Sequence, residues 1–173
     1  IIMKKIISLS IAGLIVLLFF TKLQAQSSQQ ANDQVELTKQ LTGIWKIEMG
    51  KDTTEMWEVL PFEKGYEQFI YYQAKGKTYS TDKGIIGFSS NYQTVSLDFL
   101  NPNGVLRRYS GKFISDKKIV FERYDESHTT ILALVELDFQ TPDKIKEIFK
   151  WKGYKETWDE AEVWERILIK IKE

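Results

Sequence analysis

Arg107, Tyr109, Phe121 and Arg123 are the residues of this chain whose types and spacing best suit chemistry. Val105, Arg107, Tyr109, Gly111 and Phe113 alternate along one segment, as do Ile119, Phe121, Arg123 and Asp125 along the next, so each set shares one face of an extended strand. A three-residue turn between Ser115 and Lys118 brings those faces together, and one register sets Arg107 opposite Asp125 and Tyr109 opposite Arg123. A two-residue turn separates them. Guanidinium and phenol donors that converge in a dry pocket hold a carboxylate well, and Phe121 adds apolar wall to such a site. The plainer reading is an Arg–Asp pair that fills a core, or Arg107 on the outer face, because buried charges are usually paired within the protein itself.

Other chemistry finds less support. His128, the only histidine, could ligate haem iron if it pointed into an apolar pocket, but in Asp125-Glu126-Ser127-His128-Thr129 it reads as a solvent-facing turn residue. Asp159, Glu160 and Glu162 carry the oxygens calcium prefers, yet adjacent carboxylates at a hairpin tip are ordinarily just solvated. The chain has no cysteine. Thiol catalysis, disulfides, Cys-ligated metals and an acylated lipoprotein cysteine are therefore excluded. There is no Gly-x-Ser-x-Gly elbow, no His-Glu-x-x-His and no phosphate-binding glycine loop, and Gly87-Phe88-Ser89-Ser90-Asn91 only half resembles the elbow. A triad built on His128 or a working pair of carboxylates is compatible with the spacing, but nothing singles one out. No catalytic residue, cofactor or metal is assigned.

The elements that would position such a site are short strands. From Ile44 onward apolar and polar residues alternate, and turn signals recur every eight to twelve residues or so, the pattern of an antiparallel meander. About ten segments follow: Trp45 to Met49, Thr53 to Leu60 with Pro61 as its end, Tyr66 to Gln73, Thr78 to Ser89, Val95 to Phe99, Val105 to Ile114, Ile119 to Glu126, Thr129 to Phe139, Lys144 to Lys152 and Glu162 to Lys172. Asn101-Pro102-Asn103-Gly104 is the strongest turn. Every connection is too short for a parallel crossover, and a meander with one apolar face removes its edges by closing. The expected fold is all-β, a single antiparallel up-and-down β-barrel of about eight to ten strands with a short N-terminal helix; a two-sheet sandwich is the alternative.

Ahead of the strands the sequence changes character. Met3, the basic Lys4 and Lys5, the apolar run from Ile6 to Phe20 and the small Ala25 together read as a signal peptide over residues 1–25, because Thr21 and Lys22 end the run short of a membrane span. This predicts a periplasmic or secreted protein without a stable membrane anchor after cleavage. Residues 26–34 read as a flexible polar leader and 35–173 as the barrel domain. Asp33 with Glu36 resembles a capping box, and Leu37 and Leu41 lie one helical turn apart, so a short helix is expected to lid the barrel. The whole chain balances 24 basic against 24 acidic side chains, and loss of Lys4, Lys5 and Lys22 leaves three excess acidic groups. That balance offers phosphate no attraction, so no nucleic-acid partner is expected.

Leu41-Thr42-Gly43-Ile44-Trp45 after the helical lead-in, the meander that fills the rest, and Arg166 in Trp164-Glu165-Arg166-Ile167 together resemble the lipocalin and fatty-acid-binding-protein (calycin) superfamily, most nearly its secreted bacterial lipocalin-like domains. The resemblance implies that Gly43 and Trp45 close one end of the barrel and that Arg166 lies over the Trp45 ring, a cation–π contact. Arg107-Arg108-Tyr109 has the form of the Arg-x-Tyr pair with which fatty-acid-binding proteins hold a ligand carboxylate, although there the pair lies on the last strand. Thr81-Asp82-Lys83 departs from the lipocalins' Thr-Asp-Tyr. The implied function is binding of a small hydrophobic or amphipathic ligand, with or without a carboxylate, in the barrel interior, and no catalysis. The alternatives are an envelope protein-interaction module with a filled barrel and an aromatic rim drawn from Trp57, Trp151, Trp158 and Trp164, or an isomerase or hydrolase on the same scaffold. Ligand identity and oligomeric state are not encoded in any motif.

Overall fold

Alternation is strict enough along most segments that each buries one face, and the structure, a computed structural model describing residues 33–171, has a strand at each of the ten places. The signal segment 1–25 and leader residues 26–32 lie outside the described residues. The strands are β1 (Gly43–Glu48), β2 (Thr53–Phe62), β3 (Gly65–Ala74), β4 (Lys77–Ser89), β5 (Thr94–Leu100), β6 (Leu106–Ser115), β7 (Lys118–Tyr124), β8 (Ile131–Thr141), β9 (Lys144–Trp151) and β10 (Glu162–Lys170). Each pairs antiparallel with its chain neighbour, and β10 returns to β1, so the sheet closes into a ten-stranded barrel. The closing seam is the shortest ladder, Trp45 opposite Lys170 and Lys46 opposite Ile169. Closure leaves no edge strand to cap, which disposes of the sandwich alternative.

Inside and outside divide by chemistry. Trp45, Ile47, Val59, Ile86, Val95, Phe113, Ile119, Phe121, Phe139, Ile145 and Leu168 fill one end of the interior. The outer face carries cross-strand ion pairs, Arg108–Asp98 at 3.1 Å, Lys118–Glu136 at 2.6 Å and Lys146–Glu165 at 2.9 Å. Exposed pairs of this kind stabilise by at most about 1 kcal/mol each.

Residues 33–38 are helical, and a 3-10 turn, Lys39–Leu41, leads into β1. Within this helix Glu36 pairs with Lys39 at 2.6 Å. Leu41 is buried in the core and Leu37 packs against it, as the spacing predicts. Gln34, read from sequence as leader, belongs to the barrel. Its Nε2 donates to the Phe113 carbonyl at 3.1 Å and its Oε1 accepts from the Phe113 amide at 2.8 Å. The β5–β6 ladder ends at Val95 opposite Gly111, so no β5 residue faces Phe113, and the Gln34 side-chain amide takes up its backbone groups instead. Gln34→Ala strands both buried groups, and urea unfolding is expected to give a loss of about 1–3 kcal/mol.

A β-bulge between Phe113 and Ser115 fixes the relation between β6 and β7. The turn holds two residues, Asp116 and Lys117, which alone would separate the two faces; the extra residue in β6 restores their coincidence, with Gly111 opposite Phe121 and Phe113 opposite Ile119. A Cβ on Gly111 would stand 2.2 Å from the Phe121 ring, so the glycine makes room for that ring. Pro61 does not end β2: Pro61 still faces Tyr66, and Phe62 faces Gly65 before the hairpin turns.

Candidate functional site

One end of the barrel is closed by Leu41 and Trp45, and accessibility rises toward the other. Along β10 it climbs from fully buried Leu168 through partly buried Arg166 to Trp164, 52% exposed, and along β6 from buried Phe113 and Tyr109 to exposed Arg107. Between those limits lies a cavity of about 260 Å³. Its walls are mainly apolar and aromatic, including Trp57, Ile70, Leu97, Phe99, Phe121 and Phe149. The volume is that of on the order of nine liquid waters, near the small end of ligand pockets.

Arg107, Tyr109 and Phe121 all line this cavity. Arg123 lines an adjoining cleft together with Arg107 and Tyr109. That cleft exists because the β6–β7 ladder stops at Ser110 opposite Glu122, so the strand ends beyond it are unpaired with each other and the wall opens. Burial pushes the Tyr109 hydroxyl above its ordinary pKa, while neighbouring Arg123 and Arg107 pull the other way. The phenol is therefore a neutral donor at physiological pH. The structure brings Arg107, Tyr109 and Arg123 to the open end of the interior and its side cleft, and sets Phe121 deeper, fully buried in the cavity wall. His128 lies on the exposed Asp125–Thr130 turn with φ of 56°. Glu160 completes a capping box with Thr157 at a 3-10 turn, which occupies one of the carboxylates considered for calcium; no cluster of three or more metal-ligating side chains occurs among the described residues.

The placement of Arg166 differs from what the resemblance implies. Lys170, four residues further on, holds its Nζ 5.1 Å from the centroid of the Trp45 ring. Gly43 permits this approach: its φ is 121°, a conformation open to glycine, and a Cβ there would meet the Lys170 side chain at 2.3 Å. The Trp45 indole N–H donates to the Leu41 carbonyl at 2.8 Å, so ring, helix end and last strand are tied together. Arg166 points into the cavity instead, its guanidinium 5.7 Å from the Trp57 ring centroid. The reason is register: Trp45 stands opposite Lys170, whereas Arg166, on the same face of β10 four residues earlier, stands opposite Glu147.

Around Arg166 is a buried charge group that sequence reading missed. Its Nη1 donates to Glu55 Oε2 at 2.9 Å and its Nε to Glu147 Oε2 at 2.6 Å; Glu55 and Glu147 are 3% and 2% exposed. Glu55 Oε1 accepts from the Trp57 indole at 2.6 Å. Tyr72 stands beside Glu55, and burial together with that carboxylate pushes its hydroxyl up to about 12. Burial raises Glu147 despite the opposing pull of Arg166. On Arg166 desolvation works downward, but Glu147 and Glu55 outweigh it and hold the guanidinium above its ordinary value. Asp82 also lines the cavity; burial raises its carboxyl and Arg107 lowers it, and its Oδ1 is buried without a hydrogen-bond partner among the described residues. A signal for the pair was present: Glu55 runs in phase with Trp57 and Val59, and Glu147 with Ile145 and Phe149, so each carboxylate sits on an apolar stripe.

These features define a closed ten-stranded antiparallel barrel with an internal cavity, an architecture compatible with the calycin fold and with ligand binding. No protein-family model matches the chain, and no curated protein matches it in sequence.

Proposed function

We propose that the protein is a lipocalin-like binding protein that takes a small apolar or amphipathic molecule into the barrel without chemical conversion, and that it works in the periplasm or outside the cell. The observation that carries this reading is the unfilled interior of about 260 Å³, walled by aromatic rings and reached by a few polar groups. An apolar cavity with sparse convergent donors is the usual form of a small-molecule site. The cleft between the ends of β6 and β7 offers a side route to Arg107 and Tyr109 without opening the closed end. A filled barrel acting only through its surface would need no such space, which weighs against the interaction-module alternative.

Native mass spectrometry of the folded protein before and after organic extraction tests the proposal. A discrete mass lost on extraction, and regained on adding back the extract, is the expected result. A clean apo mass with no uptake from the extract overturns it. With a carboxylate-bearing ligand, Arg107→Ala is expected to weaken retention by about 1.5–3 kcal/mol, the range for a hydrogen bond to a charged group.

A further inference from the structure

The charges that face the cavity do not cancel. Glu55, Asp82 and Glu147 line it against Arg107 and Arg166. Arg107 stands at the exposed mouth, near enough to Asp82 to lower its pKa, whereas Arg166 alone serves both buried glutamates. The inner group of Glu55, Glu147 and Arg166 therefore holds one negative charge in excess when both carboxylates are ionised. Glu147 spends only Oε2 on Arg166, and its side chain forms part of the cavity wall. An uncompensated charge buried in the protein is unfavourable and is relieved by a proton or by a cation. The surrounding wall supplies what a cation prefers: the rings of Trp57, Tyr72, Phe149 and Trp164 line the same space, with Phe149 and Trp164 stacked at 5.2 Å.

We propose that the ligand carries a protonated amine, whose ammonium enters the cavity beside Glu147 and Glu55 and supplies the missing positive charge there. This rests on the binding reading above and narrows it to amphipathic amines. Arg107, Tyr109 and Arg123, at the mouth and in the cleft, then face the other end of the molecule. Burial raises the Glu147 carboxyl, and an ammonium beside it pulls the other way, so amine binding favours release of a proton from this group.

The test is isothermal titration of the full chain with three probes of nearly one size, 2-phenylethylamine, 2-phenylethanol and phenylacetate, in buffers of different ionisation enthalpy. The amine is expected to bind about tenfold or more tighter than the alcohol, phenylacetate weaker than both, and amine binding to release a proton. Glu147→Gln is expected to erase the preference for amine over alcohol while leaving the alcohol bound. Equal binding of amine and alcohol by the unmodified protein, or a preference for phenylacetate, overturns the proposal and leaves the binding reading intact. Binding of none of the three also overturns it, and removes the binding reading too only if the extracted protein takes up no apolar dye. These comparisons on the unmodified protein stand even if Glu147→Gln does not fold.

Discussion

Arg166→Met is expected to lower the unfolding free energy by about 3–5 kcal/mol, the cost of leaving buried carboxylates without their cation. Methionine keeps much of the stem volume, so the loss reports charge rather than a void. The effect should depend on pH. Glu147 has its folded pKa raised above its ordinary 4.5, first by burial, so the folded protein holds its proton at pH values where the unfolded chain has lost it. Such a group favours folding below that window and loses its contribution as pH rises through it. Removing Arg166 takes away the charge that opposes the rise, which moves the folded pKa higher and widens the window. The deficit of the variant should be smallest near and below the ordinary glutamate pKa and should grow toward neutrality. Urea unfolding across pH measures this, and adding Glu147→Gln to Arg166→Met should recover part of the loss at neutral pH. A deficit independent of pH would mean that the group acts by packing alone.

Trp45→Ala is expected to cost a similar amount, about 3–5 kcal/mol, because the indole is 1% exposed and closes the barrel floor. Three separate elements lose contact with it: the Leu41 carbonyl that accepts its N–H, the Lys170 ammonium over its face, and Trp57 opposite it on β2. The β1–β10 seam has only two residue pairs, so little else holds it together at that point. Trp45→Phe separates the contributions. It keeps most of the apolar bulk and removes the hydrogen bond, and a loss of about 1–2 kcal/mol is expected. Amide exchange at Ile171, whose N–H donates to the Ile44 carbonyl at 2.8 Å, should quicken more in Trp45→Ala than exchange in β7 or β8. Uniform quickening would show that the seam has no independent stability.

Much of the scaffold was legible because it rests on local signals. Asn101-Pro102-Asn103-Gly104 turns where expected, with Asn101 Oδ1 accepting from the amides of Asn103 at 3.0 Å and Val105 at 2.9 Å. The alternation of Trp45 and Ile47 with Lys46 and Glu48 gave the inward face of β1 correctly. Pro61 misled because the loss of one amide is tolerated beside a hairpin. Gln34 misled because its partners lie 79 residues away. The β6–β7 relation could not be derived from turn length, since a bulge at Phe113 changes the count by one and only pairing reveals it.

The sequence by itself determined where the strands lie, because alternation of side chains and turn chemistry act over a few residues; pairing in the closed sheet decided their order. It also determined that the chain carries no thiol, since it has no cysteine. Tertiary structure alone decided which cation meets which ring and that Glu55 and Glu147 converge on Arg166, the Glu55 contact spanning 111 residues. It also decided that the interior stays partly empty. Those outcomes depend on closure of the sheet and on the register of non-neighbouring strands. Such long-range geometry is fixed by the packing of the whole barrel, not by any segment of the chain.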